Sequence, residues 1–224
     1  METTAPASTS PLLVIEDGIA TAANTTGQGK PVFSAGYHIG GFEAEDAVPD
    51  LFSRIPDAIA SMRPITVCAL NGSVYGGATD ILLACDIGVA LEGAEFRMPA
   101  AALGLHYYPS GLKRYVARLG QSMTLRAFLT AQAIPVETLK GVGFLTEVFP
   151  EKSWSAAVEN LVSKIRDLAP LAAQLTKRSI LEISHRNFDI EAIRNREALT
   201  ASSQDFLEGR QAFAEKRKPN FTGR

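Results

Sequence analysis

The sequence predicts an α/β fold, and three observations carry that expectation. Short β-branched or apolar runs alternate with helical spacing over the first two thirds of the chain. A buried-type strand runs through a glycine-rich turn directly into a helix. The last third is almost entirely helical in its apolar spacing. The 224 residues suit one domain with a sizeable core, or a core with a small appendage.

PLLVIEDGIATA (11–22) reads as a strand, an Asp17-Gly18 turn and a second strand. AANTTGQGKP (22–31) is loop material, and PVFSAG (31–36) is again extended, ending in glycine. Val48, Leu51, Ile55, Ile59 and Met62 recur at helical spacing, so a helix is predicted over 46–62, with a kink at Pro56. RPITVCAL (63–70) is a buried strand, NGSVYGG (71–77) a tight turn and ATDILLACD (78–86) a helix. Strands follow at 87–91 and 94–98. Beyond Gly111, helices are predicted at 111–119, 121–131, 136–141, 153–168, 170–185, 188–200 and 203–217, interrupted by a strand, FLTEVF, at 144–149.

Composition removes several classes of function. A net charge of −2 argues against nucleic acid as the main partner. ILLAC (81–85) is hemmed in by Asp80 and Asp86, and no apolar run has membrane-spanning length. METTAPASTS (1–10) reads as a disordered polar tail without the pattern of a signal peptide, which predicts a cytoplasmic protein. Cys68 and Cys85 read as buried thiols. The histidines at 38, 106 and 185 lack metal-ligand spacing, so no metal is expected.

Two segments carry the chemistry. In FSAGYHI (33–39), Gly36 lets the backbone turn sharply after a strand and frees the amides that follow. In NGSVYGGATD (71–80), a strand ends in Gly76-Gly77 and opens into a helix whose first amides have no intrahelical partner. Side by side, such turns offer two donors to one developing oxyanion. Each also reads as an ordinary turn, and no GxSxG nucleophile accompanies them.

These same residues resemble the crotonase (enoyl-CoA hydratase/isomerase) superfamily. FSAGYHI is similar to the segment that family uses for its first oxyanion amide, and RPITVCALNGSVYGGATDILLACDI to its longest motif. AEFRMP (94–99), the Leu103-Gly104 loop and SSQDFLEGRQAFAEKRKPNFTGR (202–224) follow in family order. The resemblance implies a crotonase-like ββα spiral core over 11–169. It also implies a helical trimerisation and CoA-contacting region over 170–224. Against the family pattern, the first repeat is short near 22–31, and a CoA-contacting basic residue of the family's start is absent.

The implied roles are specific. The amides of Tyr37 and Gly77 form the oxyanion hole, and Ala35, Phe213, Lys216 and Lys218 contact CoA. Coenzyme A belongs to the substrate, and no separate cofactor is implied. Asp80 stands at the first hydratase glutamate, shorter by about 1.5 Å, and Ala100 stands at the second, where no proton can be moved. Plain hydration is therefore disfavoured. MPAAALGLHYYPSG resembles the methylmalonyl-CoA decarboxylase branch, in which a tyrosine at the place of Tyr107 meets the substrate carboxylate. His106 is a candidate general acid. Tyr107 and Tyr108 also read as packing residues, Asp80 as a catalytic acid/base or a structural carboxylate, and Asp86 as a structural hydrogen-bond acceptor.

The expected function is acyl-CoA chemistry through an enolate, decarboxylase-like, in a homotrimer or dimer of trimers. The alternatives are a noncatalytic acyl-CoA-binding pseudoenzyme and a hydratase working with Asp80 alone.

Overall fold

A computed structural model describes residues 12–16, 19–23, 32–36 and 51–224. The expected tail (1–10), the Asp17-Gly18 turn, residues 24–31 of the loop expected over 22–31, and Tyr37 and His38 lie outside the described residues, while 22 and 23 belong to a strand and not to that loop. The chain divides into two compact units, one made mostly of residues 66–154 with earlier segments, the other mostly of Ser155–Arg224.

A five-stranded sheet has the order β1 (Leu12–Glu16), β2 (Ile19–Ala23), β4 (Ile65–Leu70), β6 (Ile87–Leu91), β9 (Glu147–Phe149). A four-stranded sheet has the order β3 (Val32–Ser34), β5 (Ser73–Tyr75), β7 (Glu95–Arg97), β8 (Ile134–Pro135). Pairing of β4 with β6 and of β6 with β9 is parallel, so the connecting segments must cross over. In the first unit the crossovers use helices α1 (Leu51–Ser61), α2 (Ala78–Ala84), α3 (Pro109–Thr130) and α4 (Val136–Gly141). α3 begins with proline at its first position and is broken by Gly120 at φ 72°, as the two helices expected on either side of that glycine require.

NGSVYGG departs from the sequence expectation. Residues 73–75 form β5 instead of belonging to a turn, parallel to both β3 and β7. Three residues among glycines give too short an alternation to read. Only long-range pairing and the complete burial of Val74 make them a strand. β8, pairing antiparallel to β7, was likewise not expected, and the strand expected at 144–149 is confined to β9, with Phe144 and Leu145 serving as buried plugs before it.

The core of this unit is built from Phe33, Val67, Leu70, Val74, Leu82 and Phe96, all fully buried. Each such side chain contributes roughly 1.5–3 kcal/mol of burial energy. Cys68 and Cys85 are buried free thiols, and hydrogen bonding with Cys85, then burial, hold the Cys68 thiol well above its usual range. Asp86 is the acceptor expected of it. Its Oδ2 accepts from Thr66 N (2.7 Å) and Thr66 Oγ1 (2.8 Å), while its own N–H donates to Thr66 Oγ1 (2.8 Å). The start of β4 is thereby latched to the start of β6. Arg118 adds a second brace, its Nη2 donating to the carbonyls of Cys85 (2.8 Å) and Asp86 (3.1 Å) at the end of α2.

The second unit is helical: α5 (Trp154–Arg166, of which 155–166 belong here), α6 (Pro170–Ser184), α7 (Ile190–Ala201) and α8 (Gln204–Glu215). Asp189 and Ser203 cap α7 and α8 by accepting from Glu191 N (2.9 Å) and Phe206 N (3.1 Å). Buried Asp205 accepts from Thr222 N (2.7 Å) and Gly223 N (2.9 Å), which ties the last residues back onto α8. No helix among the described residues is long and apolar enough to cross a membrane.

Candidate active site

The parallel register of β3 and β5, Val32 with Ser73 and Ser34 with Val74, makes both strands end at the same level. Each then bends at a glycine in left-handed backbone, Gly36 at φ 91° and Gly76 at φ 57°. The two bends lie backbone against backbone. A Cβ on Gly36 would stand 2.8 Å from the Tyr75 carbonyl oxygen and 3.4 Å from Gly76 Cα. Only glycine permits that approach. Ala35 is exposed at the lip of the first bend.

Gly76 spends its N–H on the Arg97 carbonyl (2.9 Å), whereas no acceptor among the described residues takes the N–H of Gly77. The first turn of α2 is closed by Thr79 N to Gly76 O (3.1 Å) and Asp80 N to Gly77 O (3.0 Å). Gly77 is also sterically committed, because a Cβ there would lie 2.7 Å from the ring of Phe52 on α1. Of the two expected oxyanion donors, Gly77 thus has the required freedom, and Tyr37 follows directly after Gly36 but lies outside the described residues.

In the first turn of α2, the Asp80 side chain is fully buried and its oxygens are occupied. Arg114 of α3 grips it with Nε on Oδ1 (2.9 Å) and Nη2 on Oδ2 (2.5 Å), and the Tyr108 hydroxyl donates to Oδ2. Arg114 also donates through Nη1 to Asp57 of α1 (2.7 Å), whose other oxygen accepts from the Ser110 hydroxyl (3.2 Å). Burial works against the Arg114 charge, but hydrogen bonds and attraction from Asp80 and Asp57 outweigh it and raise its pKa.

Tyr107 donates to the Tyr108 hydroxyl (3.3 Å), and the two rings stack with centroids 4.3 Å apart. Tyr107 also meets Tyr115 and Phe128 edge-on, at 5.8 Å and 5.3 Å, while Tyr108 meets Phe52 at 6.1 Å. Burial first, then neighbouring Tyr115 and Asp80, push the Tyr107 phenol strongly up. Burial and the bond to Asp80 do the same to Tyr108. Both therefore stay protonated near neutral pH. Gly111 has no side chain to collide with this pair, so α3 can start directly beneath it.

The other expected site residues are placed differently. His106 is exposed. Ala100 is buried, and its carbonyl accepts from Leu103 N (3.0 Å) and Leu105 N (2.9 Å) to shape the loop. In the second unit, Phe213 is 88% exposed and Lys216 ends α8 in left-handed backbone. Lys218 Nζ pairs with Asp167 (2.7 Å). Phe206, Phe213 and Phe221, with Glu197 and Arg210, line a cleft of about 650 Å³ in that unit.

Arg114 and Asp57 were not singled out by the sequence. An arginine next to Lys113 on a helix reads as solvent-facing, and nothing local pairs it with a carboxylate 34 residues earlier. Its neighbour Tyr115, fully buried and sharing a hydrogen bond with Thr79, was equally unmarked.

The sequence profile of enoyl-CoA hydratase/isomerase matches residues 12–224. The chain belongs to that family. Among relatives of this family member, 2,3-dehydroadipyl-CoA hydratase of Escherichia coli is 29% identical over 80% of this chain and 69% of its own length. Methylmalonyl-CoA decarboxylase of the same organism is 29% identical over 87% and 78%. The crystal structure of an enoyl-CoA hydratase/isomerase family protein from Hyphomonas neptunium superimposes with a TM-score of 0.82 at 23% identity, covering 96% of this chain and 98% of that one. The crotonase fold expected from the motifs is the fold observed.

Proposed function

We propose that this family member stabilises the enolate of an acyl-CoA thioester between the amides of Gly77 and Tyr37, and that its reaction is decarboxylation of a malonyl-type thioester. The observation that carries the reading is the apposition of the Gly36 and Gly76 bends, with the Gly77 N–H left without an acceptor among the described residues. A carbonyl oxygen seated there gains negative charge as the carbon–carboxylate bond breaks and its electron pair moves into the thioester. Carbon dioxide leaves, and the carbon then takes up a proton. Removing one such amide typically costs about 10²–10³ in rate.

Two features favour decarboxylation over hydration. Ala100 has no group to move a proton, and both Asp80 oxygens are already engaged. Decarboxylation needs no base to abstract a C–H proton. The similarity to methylmalonyl-CoA decarboxylase supports the same substrate class. Tyr107 is assigned to the substrate carboxylate and His106 to proton return. Ala35 and region 170–224 are assigned to CoA. Phe213 and its cleft take the adenine, and Lys216 and Lys218 the phosphates, with Lys218 exchanging its exposed Asp167 pair, which is worth little. The protein works in the cytoplasm as a homotrimer or dimer of trimers, with no cofactor beyond the CoA of its substrate. The same engagement of Asp80 favours one second reading, a noncatalytic acyl-CoA binder on this scaffold.

Turnover assays with crotonyl-CoA, a 3-enoyl-CoA and methylmalonyl-CoA separate these readings. Methylmalonyl-CoA is expected to be consumed fastest, and Tyr107→Phe to lower kcat at least tenfold while CoA affinity changes less than threefold, on the order of a catalytic contact being lost. Equal losses in rate and affinity would remove Tyr107 from its role. Tight binding without turnover of any of the three would establish the binder.

A further inference from the structure

We propose that Arg114 is a positioning residue for this reaction, holding Asp80 as a fixed acceptor that locks the Tyr107–Tyr108 pair against the Gly77 turn. The inference rests on the acyl-CoA reading and gives Asp80 a different task from that of a proton carrier.

The geometry supports it at three points. First, the guanidinium addresses both Asp80 oxygens, and Tyr108 adds a third donor, so no Asp80 oxygen faces open space on a side chain with no exposure. A carboxylate so occupied is oriented, and a substrate atom has no route to it. Second, the remaining Arg114 arm is braced by Asp57, which links α1 and α3 through the same planar fork. That fork suits arginine and not lysine, which is a single compact charge. Third, the same Phe52 ring that abuts Gly77 packs edge-on to Tyr108. Movement of Asp80 therefore shifts Tyr108, the stacked Tyr107 and the wall of the oxyanion turn together. The groups facing Asp80 are Arg114 from α3, Tyr108 and Tyr107 from the loop before α3, and Tyr115 from within α3, with Asp57 of α1 beyond Arg114.

A displacement of about 1 Å at a catalytic geometry costs on the order of 10²-fold. Arg114→Lys is accordingly expected to lower kcat for methylmalonyl-CoA by about 10–100-fold with KM changed less than threefold. Arg114→Ala, checked for native circular dichroism, is expected to lose at least as much and to recover part of the rate in millimolar guanidinium. Tyr108→Phe combined with Arg114→Lys is expected to lose no more than the worse single variant, because both act through one contact. A readout independent of turnover accompanies these: the tyrosine ring-carbon NMR signal assigned to Tyr108 by its loss in Tyr108→Phe. It is expected to shift in Arg114→Lys.

Unchanged kcat in Arg114→Lys, additive losses in the double variant, or an unmoved Tyr108 signal overturns the proposal. A wild-type protein inert on every thioester, with the Tyr108 signal still responding to Arg114, overturns the catalytic role and the decarboxylase reading together, leaving only a structural clamp. An active wild type with an indifferent Arg114 overturns this inference alone.

Discussion

Gly77→Pro is expected to lower kcat on the preferred thioester by about 10²–10³ while leaving CoA affinity within a few-fold. Proline removes the Gly77 N–H, for which no acceptor is found among the described residues. The backbone there already has φ −57°, so the ring imposes little change on Gly77 itself. A steric effect must still be separated from the loss of a donor, since a Cβ at this position meets the Phe52 ring. Gly77→Ala combined with Phe52→Leu keeps the amide and makes room for the methyl group. It should retain the rate to within about tenfold, a loss well below that of a missing donor. A double variant as inactive as Gly77→Pro would assign the effect to packing.

Arg114→Met should be the most destabilising single change near the site, by about 3–5 kcal/mol, because it strands a fully buried carboxylate with one hydroxyl donor in place of three donors. In a chain of this size that corresponds to a fall in melting temperature on the order of 10 °C. Asp80→Leu added to Arg114→Met removes the stranded charge and should restore most of the loss, since a buried ion pair replaced by apolar groups is often close to neutral. Thermal unfolding of wild type, single and double variants measures both. If Arg114→Met loses less than about 1 kcal/mol, the pair behaves like a surface ion pair and the clamp is without weight.

The sequence made the scaffold legible where local signals were long or punctuated. β6 and α4 fall on the residues expected, Gly120 divides α3, and Pro170 opens α6, whereas α3 begins two residues earlier than expected, at Pro109. It hid β5 and β8, which owe their conformation to partners far along the chain and carry too few residues for a period to show. The same division holds at the site. Gly36, Gly76 and Gly77 were visible because glycine at a strand end has few other reasons to be there. The use made of Asp80 was not visible. Its type and position were read correctly as a carboxylate on the first turn of α2, but Arg114, which decides its freedom, sits on another element at an unremarkable helix position. Chemistry that depends on one residue's backbone can be read locally; chemistry that depends on what neutralises a side chain requires the tertiary structure.

The proposed reaction requires a thioester carbonyl oxygen to be held by two main-chain N–H groups, one from each glycine bend. A crystal structure with a nonhydrolysable malonyl-type CoA thioester bound tests this most directly. That oxygen should lie about 2.7–3.1 Å from both Gly77 N and Tyr37 N. A ligand whose carbonyl points away from the Gly76-Gly77 turn, or reaches only one of the two nitrogens, would contradict it.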